Sequence, residues 1–239
     1  EAAAPRRAAR QDTRTALILA AERLFSEEGI SNVSLRRITQ AAGQRNESAI
    51  HYHFGSREGV VAAIMELRTL PVDAARRAQA EWRTHTPQAR ADALLAWYAA
   101  VRDAREDLAR LLVLEQGKSL AEARGEIDYG AGFLRWFAEE GRRLGGETLA
   151  SHLPGHALAT VRELVGVVAC VTPWNFLSAM LARKAAAALA AGCAVVSAPS
   201  METPYSALAL VALAEEAGLP AGLLNVVTGD PETIVGRLC

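Results

Sequence analysis

The hydrophobic period of the chain changes near residue 165, and this change constrains the fold more than any other feature. Residues 165–171 read VGVVACV, a continuous apolar, β-branched run, and the shorter runs CAVVSA and LLNVV follow later. Between them lie LSAMLARKAAAALAAG and YSALALVALAEEAG, whose length and apolar spacing are typical of helices. Strand, helix, strand, helix and strand in this order predict half of a doubly wound parallel sheet.

Ahead of this region the periodicity is helical. Residues 80–143 are predicted to be mostly helix, with a start at Thr86-Pro87. Their helical stripe consists of Leu94, Leu95, Tyr98, Val101, Leu108, Leu111 and Leu112. Residues 145–157, GGETLASHLPGHA, are interpreted as a loop. The predicted fold class is therefore mixed, with an all-α part followed by an α/β part.

The first third predicts four helices of unequal length. Thr13 or Thr15 is expected to cap the first, which ends at Gly29. Ser34 is expected to cap a short second helix, and Gly43 supplies a sharp turn before a short third helix. A fourth helix follows Ser56. Two short helices joined at a glycine, the second polar and aromatic outside, are typical of a helix-turn-helix.

Two stretches in this region read AAERLFSEEGISNVSLRRITQAAG and IHYHFGSREGV. Because of these stretches, residues 13–65 resemble the DNA-binding domain of tetracycline-repressor (TetR) regulators. The resemblance implies a recognition helix at residues 45–53, although the turn segment QRNES is one residue longer than the common form. The implied DNA-contacting residues are Arg45, Asn46, Ser48, His51, Tyr52, His53 and Arg57. The alternative is a small helical cap in which the aromatic residues only pack.

The charge distribution is compatible with DNA as a partner. Residues 1–57 contain nine arginines against six acidic residues, whereas the whole chain has a formal net charge of −1. The resemblance implies double-stranded DNA as the partner and a homodimer that spans two half-sites.

From about Val72 onward the chain resembles the N-terminal part of aldehyde dehydrogenases, in particular the succinate-semialdehyde dehydrogenase branch. Six stretches carry this resemblance: AEWRTHTPQARADALL, REDLARLLVLEQGKSLAEARGEI, FLRWFAEEGRR, VGVVACVTPWNF, ALAAGCAVV and EEAGLPAGLLNVVTGD. The expected domains are therefore 1–71, helix-turn-helix, and 72–239, a fragment of an aldehyde dehydrogenase with half of its Rossmann-like sheet.

This second resemblance implies a site for NAD or NADP around residues 172–176, TPWNF. Thr172, Pro173 and Trp174 would line the nicotinamide channel, and Ser200 would contribute one hydrogen bond. Asn175 would correspond to the side-chain donor of the oxyanion hole, which stabilises charge on the attacked aldehyde oxygen. An alternative role for Asn175 is to cap the helix that begins near Leu177, and both roles are compatible.

Several residues depart from the family pattern and weaken the cofactor prediction. Ala198 stands in place of the lysine that holds the cofactor's ribose, and Met201 replaces an acid. Leu164 and Leu177 replace prolines. In family order the nucleophilic cysteine and the general-base glutamate lie beyond Cys239.

The three cysteines are not expected to replace that nucleophile. Cys170 and Cys193 belong to core strands, where thiols are buried and inert, and Cys239 is the last residue of the sequence. Oxidation of aldehydes by this chain alone is therefore not expected.

Three interpretations follow from the sequence: a DNA-binding protein, a cofactor-binding fragment that needs another chain, and a recombined product with neither activity. The first is preferred because only the helix-turn-helix contains all its parts. No metal spacing, signal peptide or membrane-length apolar run is found, which predicts a cytoplasmic protein.

Overall fold

The protein consists of two compact units, Glu1–Leu70 and Pro71–Cys239. The structure is a computed structural model that describes residues 3–44, 48–229 and 231–238. Each unit has a hydrophobic core of its own. The boundary proposed from the sequence lies one residue later, between residues 71 and 72.

The first unit is helical throughout its described residues. Its helices are α1 (Ala3–Glu28), α2 (Leu35–Ala41), α3 (Ala49–Phe54) and the beginning of α4 (Arg57–Trp82). The predicted start of α1 at Thr13 or Thr15 is wrong, since both threonines lie inside the helix. The sequence before them is rich in alanine and arginine, whose high helix propensity extends the helix toward the N-terminus.

After α4, the second unit continues with three helices. They are α5 (Pro87–Asp103), α6 (Arg105–Gln116) and α7 (Leu120–Gly141). The predicted start of α5 is confirmed, because the Thr86 hydroxyl accepts a hydrogen bond from the Ala89 N–H at 3.1 Å and Pro87 occupies the first turn. Helix α7 begins with a capping box in which Ser119 and Glu122 satisfy each other's backbone N–H.

Residues 145–157, interpreted above as a loop, contain part of a β-hairpin. Strands β1 (Glu147–Ala150) and β2 (Ala157–Thr160) pair antiparallel, with Glu147 opposite Thr160. All eight strand residues are exposed, so no alternation between a buried and a solvated face marks them in the sequence. Gly146 permits the pairing, because a Cβ there would lie 1.7 Å from the Thr160 carbonyl oxygen.

The predicted parallel sheet is confirmed. Strands β3 (Val167–Thr172), β4 (Ala194–Pro199) and β5 (Leu224–Val226) are parallel and lie in that order. Helix α8 (Leu177–Ala190) connects β3 to β4, α9 (Tyr205–Glu216) connects β4 to β5, and α10 (Pro231–Leu238) follows. Strand β4 is buried along its whole length, as expected for the central strand of a covered sheet.

Helices α7 and α8 pack closely through small residues. A Cβ at Gly130 would lie 3.2 Å from the Cα of Ala179, and one at Gly141 would lie 2.9 Å from the Cβ of Ala190. Both pairs are separated by the same eleven positions along their helices, which shows that α7 and α8 run in the same direction. This close approach brings the middle of α7 against the first turn of α8.

The contact at Gly130 predicts a position-specific loss of stability. Gly130→Val is expected to lower the free energy of unfolding by about 1–3 kcal/mol, because the added methyl groups meet the backbone of α8. All four tryptophans belong to the second unit, so tryptophan fluorescence during urea unfolding measures that unit alone. The matched control is Gly132→Val, where a Cβ meets nothing within 4 Å and a change within about 0.5 kcal/mol is expected. Equal losses in both variants would contradict the packing.

Candidate functional site

The helix-turn-helix of the first unit is held by its own small core. Ile38 of α2 and Ile50 of α3 are buried together with apolar residues of α1 and α4. The Ser34 hydroxyl accepts the Arg37 N–H at 3.2 Å, which confirms the predicted cap of α2. With their apolar sides fixed in this way, α2 and α3 present their opposite sides to solvent.

Helix α3 carries several of the predicted DNA-contacting residues. His51 and Tyr52 are exposed, Tyr52 to 64%, and the Tyr52 and His53 rings meet edge to face at 5.1 Å. Phe54 is half-buried below the Arg14 guanidinium, so the packing alternative holds for Phe54. Ser48 is exposed directly before the helix. The predicted contacts at Arg45 and Asn46 lie outside the described residues.

Arg57 is engaged within the first unit. Its guanidinium donates to the carbonyl oxygens of Val33 at 2.9 Å and Ser31 at 3.4 Å. These bonds tie the start of α4 to the segment between α1 and α2. A hydrogen bond from Ser56 lowers the pKa of neighbouring Glu58, so a negative charge stays beside Arg57 at neutral pH. A phosphate contact by Arg57 would therefore compete with partners that it already has.

A groove of the second unit lies at the carboxyl ends of β3 and β4. Its volume is about 210 Å³. The residues that line it are Val171, Thr172, Pro173, Ala198, Pro199, Ser200, Gly229, Pro231, Ile234 and Val235. Parallel α/β sheets bind ligands at this edge. None of these lining residues is charged, and Ala198 lines the groove where the resemblance calls for a lysine.

The segment 172–176 forms one wall of the groove and leaves it toward α8. Thr172 is buried opposite Pro199, whereas the next four residues are exposed, Trp174 to 57%. Within the described part of the chain, the Asn175 side-chain amide makes no hydrogen bond. Of the predicted residues of this site, Thr172, Pro173 and Ser200 line the groove, and Trp174 and Asn175 follow along the chain.

Polar side chains of the α6–α7 region hold the backbone of this segment. Gln116 donates its amide to the carbonyl oxygens of Trp174 and Asn175, both at 3.0 Å. The Lys118 ammonium donates to the Asn175 carbonyl at 2.9 Å and lies 4.4 Å from the centre of the Phe176 ring. At the other end, Lys184 donates to the Val171 carbonyl at 2.5 Å.

A buried carboxylate joins this segment to α8. Glu126 is only 4% exposed, and its Oε1 accepts the backbone N–H groups of Ser178 at 3.0 Å and Ala179 at 3.4 Å. Its Oε2 forms an ion pair with Lys118. An acid at a helix N-terminus is favourable because it meets the unpaired N–H groups and the positive end of the helix dipole.

This arrangement corrects the alternative role suggested for Asn175. The N-cap residue of α8 is Phe176, which makes no side-chain capping bond, and Glu126 from α7 satisfies the first turn instead. The sequence did not predict a role for Glu126, Lys118 or Gln116. One signal was present: the chain has only two lysines, Lys118 and Lys184, and both contact carbonyl oxygens of residues 171–175.

The described cysteines lie in the core of the second unit. Cys170 is 1% exposed and Cys193 is 2% exposed. Burial raises the pKa of the Cys170 thiol, and the charge of Lys184 opposes this only in part. A thiol of this kind is mostly protonated near neutral pH and is a poor nucleophile. Cys239 lies outside the described residues.

The described residues contain neither a metal-binding cluster nor a membrane-spanning helix. No group of three or more histidine, cysteine, aspartate or glutamate side chains there is arranged to hold a metal ion. No described helix has the length and apolar character needed to cross a membrane.

The fold and groove define the second unit as part of a doubly wound parallel α/β protein. Residues 63–239 match the family model described as aldehyde dehydrogenase family. The chain belongs to the aldehyde dehydrogenase family. Residues 17–64 match the model described as bacterial regulatory proteins, tetR family, so a TetR-like DNA-binding region precedes the dehydrogenase region.

Several relatives among characterised proteins are semialdehyde dehydrogenases. The chain is 56% identical over 168 residues to a non-phosphorylating aspartate-semialdehyde dehydrogenase of Halomonas elongata. The matched region covers 70% of this chain and 34% of the relative. It is 50% identical over 167 residues to an NADP(+) succinate-semialdehyde dehydrogenase of Escherichia coli, with 70% of this chain and 35% of the relative covered. The chain thus spans about a third of the length of these enzymes.

Solved structures agree with this assignment. A crystal structure of an NADP-dependent enzyme of E. coli superposes with a TM-score of 0.70 at 49% identity, over 71% of this chain and 35% of that one. Succinate-semialdehyde dehydrogenase of Burkholderia pseudomallei gives a TM-score of 0.69 at 50% identity, over 70% and 35%.

The burial of Cys170 predicts slow chemical modification. Because its pKa is raised and its sulfur is enclosed, Cys170 is expected to react with iodoacetamide at pH 8 at least about tenfold more slowly in the native protein than in urea. Peptide mass spectrometry measures the labelling of Cys170 separately from the other thiols. Equal rates in the native and unfolded protein would contradict its placement in the core.

Proposed function

We propose that the first unit binds double-stranded DNA, with α3 as the recognition helix. The observation that carries this proposal is the exposed side of α3, where His51 and Tyr52 face solvent on a helix fixed by Ile50 in the core. A phenol and an imidazole supply hydrogen-bond donors and acceptors for phosphates and base edges. The match to tetR-family regulators supports the same function.

The proposal includes Ser48, His53 and Arg57 as further DNA contacts, together with Arg45 and Asn46, which precede α3 in the sequence. Helix-turn-helix proteins usually read two half-sites as dimers, so we expect a homodimer on DNA. The cytoplasm is the proposed location, because a regulator of this type acts where the chromosome is.

Deleting the outward tyrosine tests the interface. Tyr52→Ala is expected to weaken binding to DNA from upstream of the protein's own reading frame by about tenfold, because one specific polar contact contributes roughly 1–3 kcal/mol. Fluorescence anisotropy at several salt concentrations measures the affinity and the number of phosphate contacts. The control is Tyr205→Ala, which removes an equally exposed tyrosine, 64%, from the second unit. Identical affinities of the two variants would refute the role of α3.

A second candidate function is the binding of NAD or NADP in the groove of the second unit. The groove at the carboxyl ends of β3 and β4, lined by Thr172, Pro173 and Ser200, supports it. Several relatives are NADP-dependent by name. Trp174 would border the nicotinamide, and Asn175 would donate to a developing oxyanion in the dehydrogenase reaction of the whole relatives.

Restoring the missing cation tests the cofactor proposal. Ala198→Lys is expected to tighten NADP(+) binding by about tenfold, because an ammonium in the groove adds a charge-assisted hydrogen bond to the ribose or phosphate. Isothermal calorimetry measures the dissociation constant. Leu208→Lys is the control for net charge, since it places a lysine on the exposed side of α9. No gain over this control would argue against the cofactor in this groove.

A further inference from the structure

We propose that Gln116, Lys118 and Glu126 form a clamp that positions the segment 172–176 and so presents Asn175. The clamp is a property of the second unit alone. Its consequence for ligand binding rests on the proposed cofactor function of the groove. None of the three residues lines the groove, so they are positioning residues that act through the segment.

The clamp binds the backbone of the segment and leaves its side chains available. The carbonyl oxygens of Trp174 and Asn175 accept three hydrogen bonds from Gln116 and Lys118, at 2.9 to 3.0 Å. Backbone carbonyls that are satisfied in this way do not need the Asn175 amide as a local partner. Among the described residues the Asn175 amide is therefore left as an uncommitted donor, which is what a polar ligand group at this place requires.

Glu126 connects the segment 172–176 with the first turn of α8. One oxygen of its carboxylate receives the first N–H groups of α8, and the other receives the ammonium that holds Asn175. The segment 172–176 is thus held near its C-terminal end at two places: at the Asn175 carbonyl, just before Phe176, and at the Ser178 N–H, just after it. Gly130, four residues after Glu126 on α7, permits the backbone approach that brings the carboxylate within reach.

The choice of lysine at position 118 fits this geometry. The chain uses arginine for nearly all its positive charges, yet Lys118 and Lys184 are the two exceptions, and they hold the Asn175 and Val171 carbonyls. A compact ammonium reaches one carbonyl, one carboxylate oxygen and the face of Phe176 together. The planar guanidinium of arginine is larger and directs its donors in a fixed fork.

A purely structural role makes a different prediction from a positioning role. If these residues only stabilised the unit, their loss would speed amide exchange throughout the second unit in proportion to the loss of global stability. If they position the segment, exchange rises locally around residues 172–179 beyond any global change. The charges of Lys118 and Glu126 form one ion pair, so their effects should not add. The double variant should therefore resemble each single variant.

Hydrogen–deuterium exchange of the full chain, followed by mass spectrometry, distinguishes these cases. Lys118→Met, Glu126→Gln and the double variant are compared with wild type, together with urea unfolding monitored by tryptophan fluorescence. Exchange of the peptide covering residues 172–179 is expected to rise about tenfold, as for the loss of a hydrogen bond to a charged group. Exchange of α9 is expected to change only as much as global stability does, and the double variant is expected to equal the faster single variant.

The matched control is Glu106→Gln. Glu106 is a carboxylate of α6 that pairs with Arg124 of α7 and with Arg105, so the substitution removes an ion pair between α6 and α7 away from the segment. It should leave exchange of 172–179 as in wild type. Gln116→Leu provides a milder variant of the clamp itself, since it removes two neutral donors and no charge. Unchanged exchange of 172–179 in every clamp variant that folds, or a rise matched by α9, would overturn the proposal.

Titration with NADP(+) and NAD(+) adds a functional measurement whose outcome distinguishes failure of the cofactor proposal from failure of the clamp proposal. If wild type binds either cofactor, the clamp variants should bind it about tenfold more weakly than Glu106→Gln, because a mobile segment must be ordered on binding. Equal affinities would refute the positioning role. If wild type binds neither cofactor, the proposed cofactor function fails, and the exchange measurement alone decides whether the clamp exists.

Discussion

The ion pair of Glu126 with Lys118 is the interaction that links α7, the first turn of α8 and the Asn175 carbonyl. A carboxylate that is 4% exposed is tolerated only because two backbone N–H groups and an ammonium compensate for the lost water. The attraction within a buried ion pair is largely offset by the cost of removing both charges from water. The pair is therefore a weak contribution to net stability and a strong constraint on geometry.

This constraint connects three levels of the structure. Gly130 lets α7 touch the backbone of α8, Glu126 uses the approach to cap α8, and Lys118 carries the same charge network to the Asn175 carbonyl. The result is a network of contacts around the residues that follow β3, at the edge of the sheet where ligands bind in doubly wound folds. The chain's semialdehyde dehydrogenase relatives share this region, which makes up about a third of their length.

In the first unit, the hydrophobic core determines how the short helices are oriented. Its short helices cannot be stable alone, and the core around Ile38 and Ile50 decides which side of α3 faces solvent. The polar and aromatic residues left outside then form the candidate DNA surface. Arg57 shows that residue type alone does not assign a role, since its guanidinium serves Ser31 and Val33 before any phosphate.

Much of the fold was predictable from the sequence, because hydrophobic period and capping residues act locally. The β–α–β–α–β order, the caps at Ser34 and Thr86 and the burial of Cys170 follow from residues close together in the chain. The exposed hairpin of β1 and β2 was missed, since its strands have no buried face to create a pattern.

The candidate site likewise has some features that the sequence predicts and others that depend on the tertiary structure. The sequence by itself determined that TPWNF follows a core strand and that Ala198 brings no cation to the groove. Only the tertiary structure decided that Glu126, 52 residues before Ser178, caps α8 in place of Asn175. It also decided that Lys118 holds the Asn175 carbonyl. These contacts join distant parts of the chain, and they exist only because α7 and α8 pack closely enough for a single carboxylate to reach both a helix terminus and a lysine.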